Sequence, residues 1–114
     1  MAYDESLAER IQISLDQRSV NYLAKKMMGG LCFMVNDKMC IGIVKNELMC
    51  RVDPEQEPIL LKKSGVRPMD FTGKPMKGYL FVHPSAIDHD KELGFWIQTC
   101  LDFNPKAKAS KKRN

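Results

Sequence analysis

Three apolar runs between Leu31 and Val52 are separated only by short polar gaps, and that spacing leaves the chain few ways to fold. Leu31-Cys32-Phe33-Met34-Val35 runs into Asn36-Asp37, Met39-Cys40-Ile41-Gly42-Ile43-Val44 runs into Lys45-Asn46, and Leu48-Met49-Cys50-Arg51-Val52 closes the series. Gaps this short cannot hold a crossover connection, so the three runs are expected as antiparallel neighbours. Asn36-Asp37 is a residue pair that tolerates positive φ and closes a tight hairpin. Gly42, in mid-strand, signals a bulge or the close passage of another backbone.

The flanking segments read as follows. Asp4 caps a helix over 4–18, in which Leu7, Ile11 and Leu15 form one apolar stripe. Ala24-Lys25-Lys26-Met27-Met28 then leads to Gly29-Gly30, a flexible pair that turns the chain into the first strand. Asp53-Pro54 ends the third strand. A short helix is expected near 58–63, because a proline at its start has no internal hydrogen bond to lose, and Gly65 stops it. Residues 66–71 extend as a strand, 72–75 turn, and 77–82 form the last strand, with Tyr79 and Phe81 on one face and Leu80 and Val82 on the other. Ser85 or Asp88 caps a final helix carrying Leu93, Trp96, Ile97, Cys100 and Leu101 at i, i+3, i+4, i+7 and i+8. Gly94 inside that helix points to close packing against the sheet. The order αβββαββα predicts an α+β fold in two layers: an antiparallel five-stranded sheet with helices on one face.

The chain has 114 residues, enough for one small domain with a single core. No run approaches the length of a membrane span, and Met1-Ala2-Tyr3-Asp4-Glu5 has no secretory pattern, so a cytoplasmic protein is expected. The net charge of +4 is unevenly spread. Residues 104–114 hold Lys106, Lys108, Lys111, Lys112 and Arg113 and no acid; without these five, residues 1–103 carry 13 basic and 14 acidic side chains, a net of −1. A domain over 1–104 followed by a disordered basic tail over 105–114 is therefore expected. The tail residues are candidates for phosphate contacts with nucleic acid, while the composition of the domain shows no bias toward a basic reading face.

Cys32, Cys40, Cys50 and Cys100 contain no Cys-x-x-Cys pair, and His83 and His89 are the only imidazoles. The cysteines read as small buried hydrophobes, with no metal or cofactor implied. His83 beside Pro84 reads as a strand-end residue without a recognised catalytic partner. Lys25-Lys26 before Gly29-Gly30 lacks the spacing of a phosphate-binding loop and reads as a solvated pair beside a turn.

The stretch Arg67-Pro68-Met69-Asp70-Phe71-Thr72-Gly73-Lys74-Pro75-Met76-Lys77-Gly78 repeats basic-Pro-Met at a seven-residue interval. Its two prolines and two glycines fix the backbone and present Arg67, Asp70, Thr72, Lys74 and Lys77, the candidate ligand- or partner-binding residues. The competing structural reading makes Asp70 and Thr72 turn caps, pairs Arg67 with a carboxylate, and uses Met69 and Met76 as core plugs.

Together with Lys25-Lys26-Met27-Met28-Gly29-Gly30, Asn36-Asp37-Lys38-Met39-Cys40, Leu48-Met49-Cys50-Arg51-Val52 and Trp96, that motif resembles the N-terminal domain of the TfoX (Sxy) family over most of residues 3–103. The resemblance implies an α+β fold of secretion-chaperone-like layout. The founding members are bacterial competence regulators that act with the cyclic AMP receptor protein at promoters and carry a second, helical domain. This chain ends at Asn114 and resembles the short stand-alone members. The family brings no established catalytic residues. The expectation is a non-enzymatic binding or regulatory domain, transcription- or competence-related, with a protein partner and no cofactor. The alternatives are a nucleic-acid-associated accessory protein using the tail, and a small-ligand binder or enzyme using the Arg67–Gly78 loop.

Overall fold

The computed structural model of the protein describes residues 3–27, 29–70 and 75–107. Helix α1 spans Glu5–Gln17. Asp4 starts it, its carboxylate accepting from the Ser6 N–H at 3.0 Å and the Leu7 N–H at 3.1 Å, which satisfies two of the amides a helix N-terminus leaves open. The stripe Leu7, Ala8, Ile11 and Leu15 is buried, and Ser19 at φ 57° turns the chain out of the helix.

The next segment differs from expectation. Leu23–Met27 is a strand, β1, paired antiparallel with β2 (Gly30–Val35) from Leu23↔Met34 to Met27↔Gly30. Ala24-Lys25-Lys26 has no apolar alternation, so nothing local marks it; the strand exists because β2 offers it a hydrogen-bonding edge. The sheet therefore has six strands rather than five.

Strand β3 is Lys38–Val44 and β4 is Glu47–Arg51. The hairpin between β2 and β3 is as the sequence predicts: Asn36 and Asp37 have φ 55° and 64°. Lys45, at φ 58°, begins the turn into β4. The register shifts between Phe33↔Ile41 and Met34↔Met39, leaving Cys40 as the extra residue of a bulge. The bulge turns Cys40 to the same buried side as Ile41. Gly42 meets the other half of its expectation: an added Cβ would lie 2.7 Å from the Leu31 carbonyl oxygen.

Helix α2 is a single turn, Glu57–Leu60, shorter than the expected 58–63, with Pro58 in its first turn. Strand β5 is Val66–Asp70 and β6 is Pro75–Val82. β6 inserts between β4 and β5, giving the antiparallel order β1-β2-β3-β4-β6-β5. The expected turn over 72–75 lies outside the described residues up to Pro75.

The final helix, α3, spans Asp90–Phe103 after a one-turn 3-10 helix at Pro84–Ile87. Neither Ser85 nor Asp88 caps α3; its N-cap position is His89. The imidazole of His83 instead caps the preceding turn, its Nδ1 accepting from the Ser85 N–H at 3.1 Å. Gly94 makes room for the end of helix α1 rather than for the sheet: Arg18, the C-cap residue of α1, donates to the Gly94 carbonyl at 3.3 Å, and its guanidinium would stand 3.3 Å from an added Cβ. Asn104–Lys106 form another 3-10 turn and Ala107 is buried; residues 108–114 lie outside the described residues.

The helices cover one face of the sheet. Leu7, Ile11, Leu15, Leu93, Trp96, Ile97 and Cys100 join Phe33, Ile41, Ile43, Leu48, Leu80 and Val82 in the main core. A smaller apolar cluster of Cys32, Met49, Met69 and Phe81, flanked by Met34, Met39, Val44 and Tyr79, forms on the opposite face. Two layers result, and among the described residues no helix covers the other sheet face.

Candidate interaction site on the open sheet face

Antiparallel register decides what meets on the face away from the helices, because directly opposed residues share a face. Arg67 of β5 is opposite Phe81 of β6, Phe81 is opposite Met49 of β4, and Arg51 is opposite Tyr79. Lys25 of β1 is opposite Cys32 of β2 and so lies on the same face at its far side.

The two arginines lie over aromatic rings. The Arg67 guanidinium stands 4.7 Å from the Phe81 ring centroid, and that of Arg51 stands 5.5 Å from the Tyr79 centroid, both within reach of a cation–π attraction. Arg67 also donates to the Glu47 carboxylate at 2.5 Å. Arginine suits this place, since a flat guanidinium stacks on a ring while its edge N–H groups bind a carboxylate. Met49, Met69 and Phe81 are buried although no described helix lies over them, and long arginine stems beside the rings are suited to shielding such a cluster.

The Arg67–Gly78 motif is anchored at both described ends. Gly78 has φ 86°, and an added Cβ would lie 3.1 Å from the Val52 carbonyl oxygen and 3.3 Å from the Pro54 ring. Its N–H donates to the Glu57 carboxylate at 3.0 Å, and its carbonyl accepts from the Val52 N–H at 2.8 Å. Glycine here combines a left-handed backbone with close approach, both of which a side chain would oppose. Of the candidate residues, Arg67 is engaged with Glu47 and Phe81, and Lys77 is exposed on β6. Asp70 is placed by its backbone alone, opposite Pro75. Thr72 and Lys74 lie outside the described residues, as do Lys108, Lys111, Lys112 and Arg113 of the tail; Lys106 is exposed at the end of the described chain.

Sequence reasoning missed Lys25, Glu47, Arg51, Tyr79 and Phe81 as members of this constellation. The signal was present as period-two pairs, Met49/Arg51, Arg67/Met69 and Tyr79/Phe81, each of which sets its two members on one face. Only the strand order brings the pairs together.

Three of the four thiols, Cys32, Cys40 and Cys100, are poor nucleophiles in this setting. All four cysteines are free and buried. Burial pushes the Cys32 thiol up to about 11, against a smaller downward pull from its backbone bond at Cys40 and the charges of Lys25 and Arg51. Burial likewise pushes Cys40 and Cys100 up, and Cys100 shares a hydrogen bond with the Cys50 thiol. Protonated thiols neither attack nor bind metal. Among the described residues no group of three or more His, Cys, Asp or Glu side chains is placed to hold a metal ion.

A second concavity lies between α1 and α3, an open groove of about 740 Å³ lined by Arg10, Ile13, Arg18, Gly94, Phe95 and Gln98, among others. Its two arginines are tied up: Arg10 bonds Asp90 at 3.2 Å and the Ile87 carbonyl at 2.8 Å, and Arg18 bonds Gln98 at 3.1 Å. It cements the two helices. No described helix is long and apolar enough to cross a membrane.

The model of the TfoX N-terminal domain matches residues 15–104. No curated protein and no solved structure matches the chain. The family match spans β1, where the lysine pair lies, all six strands and α3 up to Asn104, so both the motif and the open face fall inside it. With well over half of its length covered, the chain belongs to the TfoX N-terminal domain family.

Proposed function

We propose that this protein is a non-enzymatic regulatory domain that acts through protein contacts in a bacterial cytoplasm, in the transcription- and competence-related setting of its family, on a scaffold of secretion-chaperone-like layout. The observation that supports it is the uncovered sheet face, where Arg51 and Arg67 lie over Tyr79 and Phe81 beside Met34, Met39 and Glu47. Arginine, aromatic and methionine side chains in one patch are the composition favoured at protein interfaces. Lys77, exposed on β6 two residues before Tyr79, is the residue of the Arg67–Gly78 motif that adjoins this patch together with Arg67. As a small-ligand site the motif is less suited, because an incoming anion would compete with Glu47 for Arg67.

A second reading is favoured by one observation. The composition of residues 1–103 is net −1, yet among the described side chains the open face collects Lys25, Arg51 and Arg67 beside the acid Glu47. Such a face, with a basic tail of Lys106, Lys108, Lys111, Lys112 and Arg113, would attract phosphate backbones in a salt-dependent way.

Photo-crosslinking in cells separates the two. A reactive residue replaces Met34 or Lys77 on the sheet side, or Glu9 on α1 as control. Discrete protein adducts from the sheet positions alone are expected. Adducts sensitive to nuclease instead would establish the second reading, and no adducts, or equal adducts from Glu9, would overturn the first.

A further inference from the structure

The two edges of the sheet are built differently. At β5 the Gly65 carbonyl accepts from the His83 N–H at 2.8 Å. Hydrogen-bonded and non-bonded pairs alternate along an antiparallel ladder, so Arg67/Phe81 is the next bonded pair and Pro68 turns its nitrogen outward. A proline at that place has no N–H to offer, and the edge is blunted. At β1 there is no proline, and Leu23, Ala24, Lys25 and Lys26 are all exposed, Leu23 at 63%. β1 is bonded to β2 on one side. Among the described residues no other segment bonds to its outer side, so alternate N–H and C=O groups there face solvent.

Charge selects what can pair with this edge. Lys25 is opposite Cys32 and lies on the open face, while Lys26 is opposite Leu31 and lies on the helix side. Two copies paired antiparallel along the full strand would set Lys25 against Lys25, and a one-residue slip toward the C-terminus would set Lys25 against Lys26. Like charges directly opposed destabilise a strand pair, so a second copy is disfavoured in both of these registers. Leu23 shares the face of Lys25, two positions away, and offers apolar area beside it.

We propose that β1 is a docking strand for an extended acidic segment of a partner protein, which adds to the sheet edge with two adjacent carboxylates against Lys26 and Lys25 and an apolar residue against Leu23. The segment reads acid-acid-x-apolar when it runs antiparallel to β1. Backbone bonds to the outer side of β1 supply affinity and the lysines supply selection. Lys25 also lies on the open face, but β1 is the edge opposite β5, so the incoming strand would extend that face from its far side, across β2 and β3 from Arg51. The proposal rests on the protein-contact reading above and gives it a surface and a partner chemistry.

The test uses the full chain, labelled with 15N, and two ten-residue peptides that differ only in a Glu-Glu-Thr-Val or Lys-Lys-Thr-Val centre. The Glu-Glu peptide should shift the amides of β1 and β2 and bind roughly tenfold tighter, as expected when two cross-strand charge pairs change sign. The exposed double variant Lys25→Glu, Lys26→Glu should reverse the preference. Equal affinities, no shift in β1 at millimolar peptide, shifts confined to the α1–α3 groove, or concentration-dependent self-pairing through β1 would each overturn it. If cross-linking captures a partner that the Glu-Glu peptide does not displace, the edge proposal falls and the protein-contact reading stands. Peptide binding at β1 with no cellular protein adduct reverses that outcome.

Discussion

Cys32 occupies a site where two influences oppose each other and burial wins: desolvation raises its pKa more than Lys25, Arg51 and its backbone bond lower it. The consequence for stability has a definite sign. Unfolded, the thiol ionises near 9.0; folded, near about 11. Between those values the unfolded chain binds fewer protons than the native one, so stability is intact below pH 9 and falls as pH rises through the folded value. For Cys32 the loss amounts to about 2–3 kcal/mol at full development. Cys40 and Cys100 act in the same direction from the same starting pH. Melting of the wild type and of Cys32→Ala between pH 8 and 11 checks this. The wild type should lose stability more steeply, and parallel slopes would refute the role given to Cys32. How much of the site was legible at this scale follows from where its partners lie. Arg67 and Lys77 stand out in the sequence through their rigid spacing in a motif. Glu47 and Phe81, which engage Arg67, do not, because they come from β4 and β6, and no local spacing encodes that β6 inserts between β4 and β5.

Elements became legible in proportion to how far their own residues dictate them. Helices α1 and α3 and the β2–β3–β4 meander carry complete stripes or turn signals, and Trp96 is buried at 3% as its place in the α3 stripe requires. β1 carries neither signal, since both its faces are exposed and its central residues are lysines. Its backbone pairing with β2 decides its state. The same pairing gives Gly30 a role that the sequence suggested only as flexibility. Gly30 is not a hinge residue in the structure; it is the first residue of β2, opposite Val44, and an added Cβ would lie 1.9 Å from the Ile43 carbonyl oxygen. The clashing atom is backbone and is held in the β3 ladder, so it cannot yield without spoiling strand register. Gly30→Ala should therefore destabilise the fold by ~3 kcal/mol or more, at or beyond the usual cost of overpacking. Gly29→Ala, where a Cβ would meet nothing within 4 Å but φ is 74°, should cost only about 1 kcal/mol, the strain of a left-handed alanine. Urea denaturation of the two variants side by side is the measurement. Equal losses would mean that flexibility of the pair, rather than the close approach at Gly30, is what matters.

Across the whole molecule the two layers differ in sign. Segments 4–18 and 88–103, which contain α1 and α3, hold eight acids and three bases, while the open sheet face gathers Lys25, Arg51 and Arg67. A near-neutral composition conceals this separation, because composition records how many charges a chain has and folding decides where they go. The C-terminal end is tied across the layers as well. Asn104, 2% exposed, donates to the Val35 carbonyl at 3.0 Å and accepts from Asn36 at 2.8 Å. Lys38 donates to the Asn104 carbonyl at 3.1 Å and the Pro105 carbonyl at 3.4 Å, and Ala107 is buried at 6%. These contacts fasten the end of α3 to the β2–β3 turn, and they place a physical limit on how much of the basic segment is dispensable. Removal of 108–114 takes away four of the five tail cations and no described contact, and should leave stability within about 0.5 kcal/mol of the full chain. Removal of 105–114 also uncovers the β2–β3 turn and the site of Ala107, and should cost about 1–2 kcal/mol through one lost charge-assisted bond and one lost apolar contact. Duplex DNA affinity, measured on both truncations at two salt concentrations, should fall in each, and further on removal of 105–114 because Lys106 goes as well. A DNA affinity that survives the shorter truncation would move phosphate contact from the tail to the Lys25–Arg51–Arg67 face, and equal stability of the two truncations would show that Pro105–Ala107 do not clamp the turn.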